Sequence, residues 1–308
     1  MKRLLRRPGA PDSHFSHCPH GFCNRSGPTL KIVNDSAFFA FVAEALHISL
    51  IELGYDNQVV PEFVPDDKHS VYIIMTTHED HSLPPRYVAY NFEQLTTNKK
   101  WPERLFNRFR AAEAVWDYSL ENIKVLHQHG VHAVHVPLGY ARNMENTMPP
   151  TMSRDIDIFF LGGINERRKR ILQPLEDFQG LKRLYTKYAF VSGMSLDEMY
   201  QRVKLSINLH YYDGRTILEV HRIIPLIANR IWVLSERSND TWMDMTFGTM
   251  VDYIEPAELK SKCREVLSQK DLKSEVERRY RHLLSCCRYS FYLLPAAKAL
   301  YAGLAAKD

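Results

Sequence analysis

The sequence predicts an α/β protein built as two Rossmann-like, doubly wound domains facing a central cleft. Three observations predict it. Short continuous apolar runs, such as Val71 to Met75 (VYIIM) and Ile156 to Leu161 (IDIFFL), mark strands buried on both faces. Stretches of helical periodicity alternate with these runs, which implies a mostly parallel sheet with right-handed crossovers. The alternation lapses from Leu138 to Met152, where Gly139, Asn143, Asn146, Pro149 and Pro150 stand, and then restarts. Domains are therefore expected at 29–140 and 155–308, with a linker at 141–154 and a basic tail at 1–28.

Taken in order, Leu30 to Asn34 (LKIVN) reads as the first strand. Ser36 can cap the next helix, whose apolar face is Phe38, Phe41, Val42, Ala45 and Leu46, and Gly54 ends it. After VYIIM, strands are expected at Tyr87 to Phe92, Ala114 to Tyr118 and Ala133 to Val136. Helices are expected over Pro102 to Ala112 and from a Ser119 cap to Gly130. In the second half, strands at 156–161, 181–185, 205–209, 231–234 and 250–254 alternate with helices at 166–178, 196–203 and 216–229. Residues 256–268 and 272–305 read as helical.

Hydrophobic residues at 45% and charged residues at 25% give ample core and exclude disorder over most of the chain. The longest apolar stretch, Ala37 to Ile51, is broken by Glu44 and His47, so no membrane-spanning helix is expected. Met1 to Arg7 is basic but no apolar run follows, unlike a secretory signal. The net charge of +4 lies in the tail, where Lys2, Arg3, Arg6, Arg7 and Arg25 face only Asp12. Such a tail can touch nucleic acid or a peripheral membrane surface, or simply be a loose end. Five cysteines in irregular spacing argue for a reducing, cytoplasmic setting. His14, His17, Cys18, His20 and Cys23 could close a zinc site, but the spacing matches no standard finger.

In doubly wound sheets, ligands bind beyond the carboxyl ends of the strands, which directs attention to the residues after each strand. Phe160-Leu161 runs into Gly162 and Gly163 and then Arg167, Arg168 and Lys169. Paired glycines let a phosphate approach the backbone, and the basic residues can neutralise a diphosphate. The alternative is a tight turn before a solvated helix face. In Asn208 to Ser235 a turn with Tyr212, Asp213, Gly214 and Arg215 precedes a helix carrying Glu219. A carboxylate there can accept both hydroxyls of a ribose, or merely complement the helix dipole. On the first domain, His78, Glu79 and Asp80 follow VYIIM and suit a general base. Glu93, Gln94 and Asp117 follow the next two strands and are expected to line the same cleft.

These segments resemble glycosyltransferases of the GT-B fold, and within them the branch that includes the spore protein CgeB and proteins of large viruses. The resemblance rests on the 208–235 segment with EQL (Glu93 to Leu95), VWDYSLENIKVL (Val115 to Leu126) and VPLGY (Val136 to Tyr140), and covers roughly residues 71–260. It implies a hexosyltransferase that takes a UDP- or GDP-linked sugar, needs no metal or other cofactor, and adds the sugar to an unidentified acceptor hydroxyl. Glu219 matches the second glutamate of the family's Glu-x7-Glu motif, which binds the ribose, and Gly162 and Gly163 match its diphosphate loop. Arg168 is the favoured basic partner. The fold also implies a final helix that crosses back to the first domain. Tyr211 stands where the family has its first, sugar-contacting glutamate. That departure leaves open a nucleotide-sugar epimerase, or an inactive nucleotide- or glycan-binding scaffold. Retention is implied if no base acts, inversion if His78 or Glu79 does.

Overall fold

The computed structural model describes residues 28–306 apart from 38, 98–99, 147–152, 177, 179, 187–194 and 215. Nearly all of the basic tail, the whole of segment 14–23, part of the expected linker and Arg215 lie outside the described residues.

The first unit runs β1 (Leu30–Val33), α1 (Ala40–Glu52), β2 (Asn57–Val60), β3 (Val71–Ile74), β4 (Tyr87–Asn91), α2 (Glu103–Ala111), β5 (Ala114–Asp117), α3 (Leu120–Gln128) and β6 (Val134–His135). Its strands are ordered β2-β1-β3-β4-β5-β6, and every pair is parallel. Every residue of β3 and β4 is buried, as apolar strands covered on both faces require.

The second unit runs β7 (Ile156–Leu161), α4 (Glu166–Leu172), β8 (Arg183–Thr186), α5 (Leu196–Arg202), β9 (Val203–Asn208), α6 (Val220–Ala228), β10 (Trp232–Ser235), α7 (Thr241–Phe247) and β11 (Asp252–Tyr253). Its sheet has the order β11-β10-β9-β7-β8, again all parallel. Three helices follow: α8 (Leu259–Leu267), α9 (Leu272–Cys286) and α10 (Tyr289–Ala305).

Several elements differ from expectation, each for a local reason. β2 reads Asn-Gln-Val-Val; it is a sheet-edge strand with two exposed side chains and so carries no buried-strand pattern. α7 is short and is announced only by Asp240, whose side chain accepts from the Met243 amide at 3.1 Å. α1 starts at Ala40, and no side chain caps it. α6 starts at Val220, so Glu219 is its N-cap rather than a residue of its first turn.

The expected single helix over 272–305 is two. Arg288 is extended (φ −65°, ψ 137°), and the chain changes unit there. α9 packs on α6 and α10 packs on α1. At the break the Tyr140 amide donates to the Cys287 carbonyl at 2.7 Å, and the Tyr289 amide donates to the Tyr140 carbonyl at 2.9 Å. The Tyr289 hydroxyl then donates to that of Tyr90 at 2.8 Å, which donates to the Val136 carbonyl at 2.7 Å. One apolar core runs through this junction, from Tyr90 and Trp116 past Leu283 and Leu293 to Ile223 and Val233.

Gly139 makes the junction possible. A Cβ at this position would lie 2.6 Å from the Tyr289 nitrogen and 2.7 Å from the Cys287 oxygen, both backbone atoms that cannot swing aside. Gly139→Ala is expected to lower stability by about 1–3 kcal/mol, the usual cost of overpacking, as read by chemical denaturation.

Candidate functional site

In the second sheet β7 has β8 on one side and β9 on the other, so the crossovers leave it in opposite directions. The carboxyl ends of β7 and β9 therefore flank the switch point, where open α/β sheets bind ligands. β7 is followed by Gly162 and Gly163, and β9 by Leu209, His210 and Tyr211. Gly162 has φ 151°, and an added Cβ would meet Arg168 Nη1 at 3.1 Å and Arg222 Nη1 at 3.5 Å. The conformation thus favours glycine there, and a side chain would press on the Arg168 guanidinium.

Three arginines surround this turn, in three different situations. Arg168 is only 1% exposed. Its guanidinium donates to the carbonyls of Gly163 (2.8 Å), Leu209 (2.5 Å) and His210 (3.3 Å), and sits between the rings of Phe160 and Tyr211. Burial lowers its pKa to about 10, against the opposing pull of Glu219. Arg167 is engaged by Glu236 through two bonds of 2.9 and 2.5 Å, by Asp213 at 2.5 Å and by the His210 carbonyl at 3.0 Å. Arg222, with 21% of its side chain exposed, forms a bidentate pair with Glu219, both bonds 3.0 Å long. Glu219 is 4% exposed and also lies 3.6 Å from Arg168 Nη2.

The loop between β9 and α6 is tied down from both units. Asn165, the N-cap of α4, accepts from the Arg168 amide and donates to the Tyr211 carbonyl at 2.7 Å. Tyr211 and Tyr212 are exposed, with their rings near-perpendicular and 5.0 Å apart. Asp213 holds Arg167, and the Gly214 carbonyl accepts from Asn239 at 3.3 Å. From the first unit, the Gln94 side-chain amide pairs with the backbone of Ile217: Nε2 donates to the carbonyl at 3.3 Å, and Oε1 accepts from the amide at 3.2 Å. Ser119 Oγ donates to Asp240 at 2.5 Å across the same boundary.

The remaining first-unit candidates divide. His78 and Glu93 are brought together, with Nε2 3.6 Å from Oε1. Glu79 is exposed and makes no ion pair among the described residues; its carbonyl accepts from Arg108, which also binds the carbonyls of Thr77 and His81 and so fixes the loop. Asp117 does not line an opening. It is fully buried and accepts from Asn91, the Ser119 amide and Asn122, and burial pushes its pKa up to about 8. Arg168 likewise faces inward, because three carbonyls consume its donors. Tyr118 links the two sides: burial raises its pKa most, and the charges of Asp117, Glu219 and Glu93 add to the effect. Arg222 was not among the expected site residues; its only sequence signal is the i, i+3 spacing from Glu219. Among the described residues no group of three or more His, Cys, Asp or Glu side chains is arranged to hold a metal ion, and no helix is long and apolar enough to cross a membrane.

No family model matches the chain. It is 29% identical over 165 residues to uncharacterized protein R358 of Acanthamoeba polyphaga mimivirus, a match covering 51% of this chain and 54% of that protein. The chain thus spans about half the length of the curated relative it matches. Among solved structures it is similar to AviGT4, a glycosyltransferase involved in avilamycin A biosynthesis (TM-score 0.56, 10% identity, 91% of this chain and 99% of that one). It is also similar to the Anabaena protein Alr3699/HepE in complex with UDP (TM-score 0.54, 9% identity, 89% and 100%). These likenesses show the fold: two Rossmann-like domains in the GT-B arrangement.

Two outcomes are expected of this site. Arg168→Met should cost about 2–5 kcal/mol in a denaturant titration, since it leaves the buried carbonyls of Gly163 and Leu209 without their donor and Glu219 with Arg222 alone, while the His210 carbonyl keeps Arg167. His221, on the first turn of α6, has its pKa lowered to about 3 by burial and by Arg222. Above its unfolded pKa of about 6.5 it is neutral in both states; below, only the unfolded chain takes the proton, so stability falls as pH drops from 6.5 towards 3. His221→Gln should remove a slope of at most about 1.4 kcal/mol per pH unit in that window, read from melts at several pH values.

Proposed function

We propose that the protein is a glycosyltransferase that moves a sugar from a UDP- or GDP-linked donor to an acceptor hydroxyl, as a member of the CgeB-like branch. The observation that carries this reading is Glu219: a nearly buried carboxylate at the start of α6, beside a glycine turn and arginines, at the switch point of the second sheet. A carboxylate so placed accepts vicinal hydroxyls of a ribose, while backbone at Gly162 and Gly163 admits the diphosphate. The structural likeness to a glycosyltransferase and to a protein crystallised with UDP supports the reading, as does the partial match to a viral protein for the branch.

Departure of the sugar leaves negative charge on the nucleoside diphosphate, and guanidinium groups can stabilise it without a metal ion. The acceptor approaches from the first unit. His78, held near Glu93, is the candidate base for its hydroxyl. Tyr212, Asp213 and Gly214 border the sugar side of the donor.

A second reading, binding without turnover, is favoured by one observation: Tyr211 replaces a carboxylate and lays its ring over Arg168, 5.1 Å from its guanidinium carbon. Incubation with a panel of sugar nucleotides separates the two, since only an enzyme releases nucleoside diphosphate.

Glu219→Gln should weaken binding of the preferred UDP- or GDP-sugar by about 10- to 100-fold, the worth of a charge-assisted hydrogen bond, with the far-ultraviolet spectrum unchanged. Calorimetry checks this, and an unchanged affinity would remove Glu219 from the donor site.

A further inference from the structure

The arginines at the glycine turn are not equivalent, and their hydrogen bonds say which of them can serve a ligand. Arg168 spends its donors on the carbonyls of Gly163, Leu209 and His210 and is closed off by Phe160 and Tyr211. Arg167 is neutralised by Glu236 and Asp213. A phosphate reaching either would have to displace strand-end carbonyls or compete with two carboxylates. Arg222 differs on each count. Its guanidinium lies over Gly162, within 3.5 Å of where a Cβ would stand; it keeps solvent access; and among the described residues its bonds go to Glu219 alone.

We propose that Arg222 is the cation that takes up the donor's diphosphate, and that the Glu219–Arg222 pair is the closed state of an empty site, which a nucleoside diphosphate opens by partner exchange. This rests on the reading of the site given above. On binding, ribose hydroxyls replace Arg222 at the Glu219 carboxylate, and phosphate oxygens replace Glu219 at the Arg222 guanidinium. Glu219 keeps Arg168 as its counter-charge, and Arg222 offsets one of the negative charges of the diphosphate. Arg168, 3.6 Å from Glu219 and locked by its carbonyls, keeps the carboxylate paired while Arg222 changes partner. Glycine at 162 puts no side chain between the backbone of the turn and that guanidinium. The exchange also makes the two halves of the ligand interdependent. A nucleoside alone must break the ion pair and leaves Arg222 unpaired; pyrophosphate alone leaves Glu219 short of a partner. A molecule carrying both satisfies both ends.

The test titrates the full chain with uridine, UDP, guanosine, GDP and inorganic pyrophosphate by calorimetry, as wild type, Arg222→Ala, Arg222→Lys and Glu219→Gln. Circular dichroism and melting temperature establish that each variant is folded, and Arg222→Lys serves where the alanine variant is not. The wild type is expected to prefer the diphosphate to its nucleoside by about tenfold or more, and Arg222→Ala to erase most of that preference. Glu219→Gln, which loosens the pair, is expected to weaken nucleoside binding yet leave pyrophosphate binding equal or tighter. An Arg222→Ala protein that keeps the full diphosphate preference overturns the proposal, as does pyrophosphate binding that weakens in Glu219→Gln. Should the wild type take pyrophosphate in an Arg222-dependent way but no nucleotide, the exchange at Arg222 stands and the nucleotide-sugar reading falls. Should it take neither, both fall.

Discussion

The buried guanidinium of Arg168 is the interaction on which the site depends. The chain beyond two strand ends, Gly163 after β7 and Leu209-His210 after β9, turns carbonyls inward beneath the switch point. Arg168 collects them and is nearly withdrawn from water in doing so. Bringing such a charge inside is costly unless every donor is used and a counter-charge is near. Here each of the three guanidinium nitrogens reaches a carbonyl, and Glu219 supplies the anion. The position of Glu219 is thus a consequence of how the sheet closes its own edge.

The same loop is held from the other unit. Gln94 pairs with the Ile217 backbone as a short strand would, two residues before Glu219, and Ser119 binds the cap of α7. The placement of the carboxylate is therefore shared between the two units. A site assembled in this way senses how the units are seated against each other, because the loop that bears Glu219 has anchors on both.

Much of this architecture was legible in the sequence. The apolar runs at 71–75, 87–92 and 156–161 announce central strands because a strand covered on both faces has no polar side. Ser119 is legible as a cap because its hydroxyl has one local use, and it accepts from the Glu121 amide. The glycine turn and Glu219 follow from where ligands bind in such sheets. What escaped depends on contacts distant in sequence. Nothing near Arg168 reveals that three carbonyls will claim it, and nothing near Asp117 reveals that Asn91 and Asn122 will enclose it. The edge strand β2 and the short α7 lack periodicity altogether. The break at Cys287–Arg288 is set by Tyr140, which lies far away along the chain.

That break has a mechanical meaning. The polypeptide passes between its two halves near Gly139-Tyr140 and again at Cys287-Arg288, and these passages are hydrogen-bonded to each other with no room for a side chain at Gly139. Two crossings joined at one spot fasten the halves to each other there. Were the crevice to gape, the bonds of Gln94 to Ile217 and of Ser119 to Asp240 would have to part first, and the surfaces farthest from Tyr140 would travel most.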